Sequence, residues 1–250
     1  MDIVGSKKTV LPKWRLRQDG ETCLIIEFET QDIVLANHLV CSLAWQLSTE
    51  KLIGINDIVP TMVTVALHYH PALVRQSFGY AEFLQLITNR VNTFVTEYDC
   101  EAVTDARRVV LPVCYGGAYG EDLEHVAQAC NLSTDEVIHL HSSSPVRVLM
   151  LGFAPGHPYI GMFDQRLGAV GRRTTPRTVV PIGSIGLANC QSVIYPMALP
   201  GGWNLIGRIP LPLFNPIQQP HCLLSPGDEI EFQSITSEEF IAIENNSMAE

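Results

Sequence analysis

The fold is decided by five short apolar runs with glycine and proline between them: VRVLMLGF (146–153), TVVPIGSIGLA (178–188), VIYP (193–196), WNLIGRIP (203–210) and EIEFQSI (229–235). Each run is too short for a core helix and is rich in the branched residues that favour strands. Short strands separated by turn residues are typical of a β-barrel or a β-sandwich. The second half of the chain is therefore predicted to be mainly β.

This half of the chain is basic, although the protein is acidic, with a formal net charge of −10 over 250 residues. From Pro145 to Gly227 there are six arginines and one acid, Asp164, which is a net +5. The same segment holds 12 of the 16 prolines and 11 of the 18 glycines. A rigid, basic, loop-rich segment points to an anionic ligand or an acidic partner surface. The alternative is a solvated rim of arginines.

The first half has a different pattern. Residues 22–29 and 62–69 alternate like strands, and 53–58 is a third, weaker strand. Residues 32–50 and 78–98 carry apolar side chains at helical spacing. Strand, helix, strand, strand, helix predicts a small α+β domain.

The domain boundaries are placed by composition. The polar stretch 97–105 separates the two patterns. Within the second domain, residues 120–131 predict a short helix, and Ser133 to Glu136 have the S-x-x-E spacing of a capping box. The predicted organisation is a flexible leader at 1–13, an α+β domain at 14–106, a β-barrel domain at 107–236 and a tail at 237–250.

Composition excludes several classes of protein. Apolar residues make up 46% and charged residues 17% of the chain, which excludes a disordered protein. No apolar run reaches the roughly 18 residues of a membrane span, and no signal peptide is evident. The net charge argues against a nucleic-acid binder. Seven cysteines without a C-x-x-C pair favour free thiols in the cytoplasm.

The familiar catalytic and phosphate-binding motifs are missing from the sequence. It contains no P-loop, no dinucleotide fingerprint, no G-x-S-x-G and no H-E-x-x-H. It also has no lysine after Lys51. A phosphate bound to the second half must therefore be held by arginine and backbone N–H groups. Asp164 either pairs with an arginine or holds Mg²⁺ beside such a phosphate.

Three segments of the basic region are candidate binding elements. The loop 152–161 has its backbone fixed by two prolines and three glycines, as ligand-contacting loops often have. The run 172–177 holds three guanidiniums that suit a carboxylate or a phosphoryl group. The stretch 195–203 places a tryptophan beside two glycines, which permits close backbone approach. For each segment alone, turn formation and packing are an equally good explanation.

Histidines are candidates because imidazole titrates near neutral pH. His141 ends the run EVIHLH and is interpreted either as a general base or as a packing residue. His157 lies inside the Pro-Gly-His-Pro loop and is a second candidate. His68 and His70 alternate on a predicted strand, but no third metal ligand is apparent, so no metal site is predicted.

Eight motifs in one order resemble the B subunit of 5-oxoprolinase, a family that includes a bacterial sporulation histidine-kinase inhibitor and modules of urea carboxylase. The resemblance is dense from about 110 to 232 and extends upstream only in pattern. At position 157 the family usually has Phe where this chain has His. The motifs are YGG-x-x-G-x-DL (115–123), EVI-x-x-H (136–141), LGF-x-PG-x-PY-x-G (151–161), RR-x-x-PR (172–177), VP-x-GS-x-G (180–186), IYP (194–196), PGGW-x-LIGR (200–208) and LL-x-PGD (223–228).

The resemblance implies a fold and an activity. It implies an α+β N-terminal domain followed by a mainly β, cyclophilin-like barrel. It implies that the chain acts with 5-oxoprolinase subunits C and A, that the complex converts 5-oxo-L-proline to L-glutamate with ATP and Mg²⁺, and that the chain is inactive alone. In that reaction the B–C pair is expected to phosphorylate the lactam oxygen, and phosphoryl transfer requires mainly positioning and charge neutralisation.

The candidate site follows from these segments. His141 and Arg177 are the expected catalytic residues. Residues expected to bind substrate or nucleotide are Gly152, Phe153, Pro155, Gly156, His157, Pro158, Tyr159, Arg172, Arg173, Gln191, Tyr195, Gly201, Gly202 and Trp203.

Two other functions remain open from the sequence alone. The same fold serves a regulator that docks on a histidine kinase and inhibits its autophosphorylation, so fold alone does not choose between them. A urea-carboxylase-like accessory module ranks lowest, because the sequence carries neither a biotin carrier nor an amidase segment.

Overall fold

The computed structural model describes residues 11–98 and 106–247. Most of the expected leader, the last three residues of the expected tail and Cys100 lie outside the described residues. The chain divides into two compact units, residues 1–105 and 106–250. Each unit has a hydrophobic core of its own.

The first unit is a four-stranded antiparallel sheet with three helices. The strands lie in the order β1-β2-β4-β3. The elements are β1 (Lys13–Asp19), β2 (Cys23–Glu29), α1 (Ile33–Glu50), β3 (Ile55–Pro60), β4 (Thr64–Tyr69), α2 (Pro71–Ser77) and α3 (Tyr80–Glu97).

The two long helices bury one face each in the core that they share with β2 and β4. Helix α1 begins after Asp32, whose carboxylate accepts a hydrogen bond from the Leu35 N–H and so satisfies one free donor of the first turn. The buried side chains of α3 recur every three or four residues, as an amphipathic helix requires. They are Phe83, Ile87, Val91 and Phe94.

The second unit confirms the predicted barrel. Seven strands close in the order β10-β7-β6-β13-β5-β12-β9, with β9 paired to β10, and β8 and β11 form a separate two-stranded sheet. Only β13 and β5 pair in parallel among the described strands. The elements are β5 (Arg108–Tyr115), α4 (Leu123–Cys130), α5 (Thr134–Ser142), β6 (Val146–Leu151), β7 (Pro158–Gly161), a 3₁₀ helix (Gln165–Ala169), β8 (Arg177–Val180), β9 (Ser184–Ala188), β10 (Gln191–Ile194), β11 (Leu199–Gly201), β12 (Asn204–Arg208), β13 (Glu229–Ser234) and α6 (Ser237–Ser247).

Strand β9 is covered on both faces. All five of its residues are buried. Ile185 and Leu187 belong to the barrel core, whereas Ala188 belongs to a second, smaller cluster with Tyr195 and Trp203. Since side chains alternate across a strand, this second cluster lies on the outer face of the barrel wall. The site described below is built around that outer cluster.

Several elements differ from the sequence predictions. Residues 71–77 form helix α2, which was not predicted, and 158–161, at the end of the expected loop 152–161, form strand β7. Residues 13–19, of which Lys13 was assigned to the leader, form β1, and 237–247 in the expected tail form helix α6. Phe240 of α6 is buried, with its ring centroid 4.5 Å from that of Tyr119. None of the helices in the described part of the chain is long and apolar enough to span a membrane.

Candidate functional site

Asp122, at the N-terminus of α4, is the ionic centre of the second unit. Its side chain is 8% exposed and accepts hydrogen bonds from Arg173 and Arg177, both at 2.9 Å. Its other oxygen accepts the Leu205 N–H at 2.7 Å. Burial raises the pKa of Asp122, but the hydrogen bonds from Arg177 and the Leu205 N–H outweigh it, and the pKa lies below its ordinary value.

This pairing changes how the arginine run is interpreted. The sequence suggested three guanidiniums available to an anion, yet Arg173 and Arg177 are both paired with one buried carboxylate. The Glu121 carboxylate also lies near Arg177, with its Oε2 3.5 Å from Arg177 Nη2. Asp122 was not predicted as a site residue, because an ion pair between residues some 50 positions apart leaves no local sequence pattern. The one signal that could have pointed to it is its place in the D-L ending of the 115–123 motif.

One backbone segment, 201–205, joins the ionic centre to the rest of the site. Gly201 pairs with Arg177, and the Gly202 carbonyl accepts the Arg173 N–H at 2.7 Å. The buried Asn204 amide donates to the carbonyls of residues 171 and 187. Leu205 then reaches Asp122 through its N–H. The segment therefore fixes the arginines and the aromatic residues in one arrangement.

An aromatic wall occupies the outer cluster. The Tyr159 and Trp203 rings lie 6.2 Å apart, edge to face. Tyr195 is 1% exposed, and burial raises its pKa to about 12, so it stays protonated. A Cβ added at Gly201 would lie 2.0 Å from the Tyr195 hydroxyl oxygen, so glycine is required where this ring passes the backbone.

Arg172 stands at the exposed edge of this wall. Its guanidinium carbon lies 5.7 Å from the centroid of the Trp203 ring, a cation–π contact. Among the described residues, no carboxylate lies within salt-bridge distance of it. Of the three arginines in the run, Arg172 is therefore the one whose charge is available to a ligand.

The loop 152–157 places His157 against the wall. The loop is closed by hydrogen bonds from Gly152 N–H to the His157 carbonyl and from His157 N–H to the Ala154 carbonyl. Gly156 has a φ of +74° and packs against Phe214, where a Cβ would lie 2.9 Å from that residue's own Cβ. The His157 ring is 1% exposed and lies 5.2 Å from those of Tyr159 and Tyr195.

His141 lies in the barrel core and has protein partners on both nitrogens. Its ring stacks between Phe163 and Phe232, at 4.6 and 4.4 Å. Ser192 Oγ donates to the Gly186 carbonyl, so it accepts from His141 Nε2, and the Tyr115 hydroxyl then donates to Nδ1. Burial lowers the pKa of His141 to about 3. These contacts describe a neutral, packed histidine, and none of them involves the arginines.

The remaining predicted residues take up supporting positions. Pro155 lies in the fixed loop, Pro158 begins β7, and Gln191 begins β10 opposite Gly161. Asp164 is held by Arg166 through two hydrogen bonds of 3.0 and 2.9 Å, so it pairs with an arginine rather than offering free oxygens to Mg²⁺. No group of three or more His, Cys, Asp or Glu that suits a metal ion occurs in the described part of the chain.

Comparison with known proteins assigns the chain to a class. The family model described as the carboxyltransferase domain, subdomain C and D, matches residues 14–224, and the chain belongs to this family. Within it, the chain is 33% identical over 237 residues to the 5-oxoprolinase B subunit of Bacillus subtilis (strain 168), covering 94% of this chain and 98% of that protein. The 5-oxoprolinase B subunit of Escherichia coli O157:H7 is 36% identical over 218 residues, covering 85% and 92%. The resemblance to the B subunit of 5-oxoprolinase is thus confirmed.

A solved structure has the same fold. The crystal structure of TTHA0988 matches this chain with a TM-score of 0.71 and 29% identity, over 86% of this chain and 40% of that one. The chain therefore spans less than half the length of that protein.

Proposed function

We propose that this chain is a component of an ATP-dependent 5-oxoprolinase that, together with subunits C and A, converts 5-oxo-L-proline to L-glutamate in the cytoplasm. Its part is to bind the small cyclic substrate while the lactam oxygen is phosphorylated. Alone it has no activity. The proposal is supported by the two 5-oxoprolinase B subunits whose alignments cover most of the chain. It includes the assumption that the barrel is cyclophilin-like.

The observation that carries the proposal is the position of Arg172. A free guanidinium at the edge of an aromatic wall suits a ligand that is a flat ring with one carboxylate, because the ring packs on Tyr159 and Trp203 while the charge stays at the surface. 5-Oxoproline is such a molecule. Asp122 contributes indirectly, since it holds Arg173 and Arg177 against the segment that carries Trp203.

The residues of this chain do not fit Mg²⁺–ATP on their own. The oxygens of Asp122 and Asp164 are committed to arginines and to backbone N–H groups. Without a lysine in this unit, Arg172 is the one cation of its run left for phosphate. We therefore place most of the nucleotide's contacts on a partner protein and derive no step through it.

Reconstitution tests the proposed function. The chain is mixed with its genomic neighbours that resemble subunits A and C, and glutamate formed from 5-oxo-L-proline and ATP is measured. We expect glutamate only in the complete mixture. Undiminished glutamate release from A and C without this chain would refute the proposal.

The matched variant for that assay is Arg172→Ala, with Arg108→Ala as the control. Arg108 is also an exposed arginine, but it is paired with Glu229 on the barrel wall and lies outside the site. We expect Arg172→Ala to raise the KM for 5-oxoproline at least about tenfold, because a charge-assisted hydrogen bond is lost. Arg108→Ala is expected to behave as the wild type.

A further inference from the structure

His157 carries a buried nitrogen with an unmet hydrogen-bonding capacity. His157 is 1% exposed, and apart from a contact of the ring with its own backbone, its Nδ1 has no hydrogen-bond partner among the described residues. Leaving a buried polar atom unpaired costs on the order of 1–3 kcal/mol. Arg177 Nη1, Ser184 Oγ and Arg208 Nε are also unpaired, but His157 Nδ1 is the one on an imidazole, which can either donate or accept. In contrast, both nitrogens of the other buried histidine, His141, are satisfied.

The surroundings of His157 restrict what can pair with it. The ring lies among those of Phe153, Tyr159 and Tyr195, at 5.2–5.4 Å. Burial lowers the pKa of His157 to about 4, so the imidazole is neutral near pH 7. A charged ligand group placed among these rings would lose its hydration without gaining an opposite charge. The partner of Nδ1 is therefore a neutral polar group on a compact, largely apolar body.

An amide within a ring meets these requirements. Depending on the tautomer, Nδ1 of a neutral imidazole is either a donor or an acceptor. A lactam presents an N–H and a C=O on neighbouring atoms, so it can pair with either form. An alcohol would do the same but lacks the flat shape that packs between aromatic rings.

Phe153 is the part of the surroundings of His157 that is open to solvent. Of the three rings around His157, it is the exposed one: 66% of Phe153 is accessible, whereas Tyr195 is 1% exposed. Phe153 also has a φ of +74°, a left-handed conformation that is uncommon for a bulky residue. Because Phe153 is exposed and does not belong to the barrel core, its side chain can move without disturbing that core.

We propose that His157 recognises the amide of the substrate by one hydrogen bond from Nδ1 to the lactam, which enters past Phe153 with its neutral end inward. This inference rests on the proposed function for the identity of the substrate. It adds an orientation: the lactam faces His157, and the carboxylate faces the free guanidinium of Arg172 at the surface.

Three small molecules separate these two contacts. 5-Oxo-L-proline has the lactam and the carboxylate, 2-pyrrolidinone has only the lactam, and cyclopentanecarboxylate has the carboxylate on a five-membered ring without an amide. Their affinities are measured by calorimetry on the assembled complex. The variants are His157→Phe, which keeps a ring of similar size, and His157→Asn, which restores a polar group. His139→Phe, at an exposed histidine on α5, is the matched control.

We expect His157→Phe to weaken the binding of both lactams about tenfold, which corresponds to one hydrogen bond of ordinary strength, and to leave the binding of cyclopentanecarboxylate unchanged. His157→Asn should recover part of the loss, and His139→Phe should behave as the wild type. Arg172→Ala should instead weaken the binding of 5-oxoproline and cyclopentanecarboxylate but not that of 2-pyrrolidinone. In the wild type, 2-pyrrolidinone should shift the ¹⁵N resonance of His157 Nδ1, a measurement that needs no variant to fold.

The outcomes distinguish the two hypotheses. If wild type and His157→Phe bind both lactams equally well, or if the ¹⁵N resonance does not shift, the role of His157 is overturned. The proposed function still stands in that case, provided that the complex opens 5-oxoproline. If His157→Phe also lost the binding of cyclopentanecarboxylate, the effect would be purely structural, and the role of His157 would again be overturned. Binding of 2-pyrrolidinone that depends on His157, in a complex that does not open 5-oxoproline, supports this inference and refutes the proposed function.

Discussion

Among single residues, Asp122 organises the ionic contacts of the site. It is one buried carboxylate that receives two guanidiniums and a backbone N–H. Since the arginines have no second buried carboxylate among the described residues, the site depends on this one charge. The sequence pointed to the arginines, which are clustered, and not to their partner, which is distant in the chain.

Asp122→Asn should therefore destabilise the protein by about 2–3 kcal/mol, because it leaves Arg173 without a counter-charge and Arg177 with only the exposed Glu121. The partial exposure of Arg173 keeps the loss below that of a fully buried pair. Urea unfolding at pH 7 measures this. Glu121→Gln, at the neighbouring and mostly exposed carboxylate, is the control and should change stability by less than about 0.5 kcal/mol. Equal effects of the two substitutions would contradict the central role of Asp122.

The arginines of the run are expected to differ in effect. Arg177→Ala should lower both the stability and the activity of the complex, because it removes a hydrogen bond to Asp122. Arg172→Ala should lower substrate affinity while changing stability by less than about 1 kcal/mol, since it loses only a surface cation–π contact. Thermal unfolding and steady-state kinetics on both variants separate the two roles. The hypothesis fails if Arg172→Ala unfolds as readily as Arg177→Ala.

For the elements, local signals predicted most of what was found. The apolar periodicity placed α1 and α3 within two residues of their observed ends. The S-x-x-E spacing is a true capping box, in which Ser133 and Glu136 each accept a hydrogen bond from the other's N–H. These elements are determined by residues close in sequence, which is why the sequence was sufficient.

The elements that the sequence missed are held by contacts with other elements rather than by their own hydrophobic pattern. Strand β1 alternates charged with apolar residues and is largely exposed, so its strand conformation comes from pairing with β2. Helix α6 has mixed polarity and is anchored by Phe240 against Tyr119. Likewise, His141 was ambiguous in the sequence, because only the tertiary structure places it between Phe163 and Phe232.

The two-stranded sheet formed by β8 and β11 depends on the close approach of Gly201 to the Tyr195 ring. Gly201→Ala would force a methyl group against the buried Tyr195 ring, and overpacking of this kind costs about 1–3 kcal/mol. We expect a loss of stability and of substrate affinity together. Gly171→Ala is the matched control, because the nearest atom to its Cβ is 3.8 Å away. Thermal unfolding followed by circular dichroism measures the stability of the two variants, and substrate titration measures their affinity. Equal values for the two variants would contradict the prediction.

At the scale of the whole molecule, two buried histidines make stability depend on pH. Burial lowers the pKa values of His141 and His157 from 6.5 to about 3 and about 4. Below pH 6.5 the unfolded chain therefore binds more protons than the folded chain. The contribution of each neutral histidine to stability is complete above pH 6.5 and is lost as the pH falls toward the pKa of that histidine in the folded state.

His157→Phe removes one of these two contributions. Between pH 7 and pH 5, its free energy of unfolding should fall by about 2 kcal/mol less than that of the wild type. Urea titrations at the two pH values, with His139→Phe as the surface control, measure the difference. Identical losses in wild type and His157→Phe would show that His157 is not held neutral in the folded state.

The closure of the barrel has a consequence for its synthesis on the ribosome. In the barrel, β13 lies between β5 and β6 and pairs with β5 in parallel. Glu229 of β13 is opposite Arg108 of β5, although it is made 121 residues later in the chain. While translation is in progress, β5 and β6 each present an open edge to other nascent chains. The second unit therefore folds late, and its yield in the cell should respond to chaperone supply more than that of the first unit, whose strands pair with near neighbours.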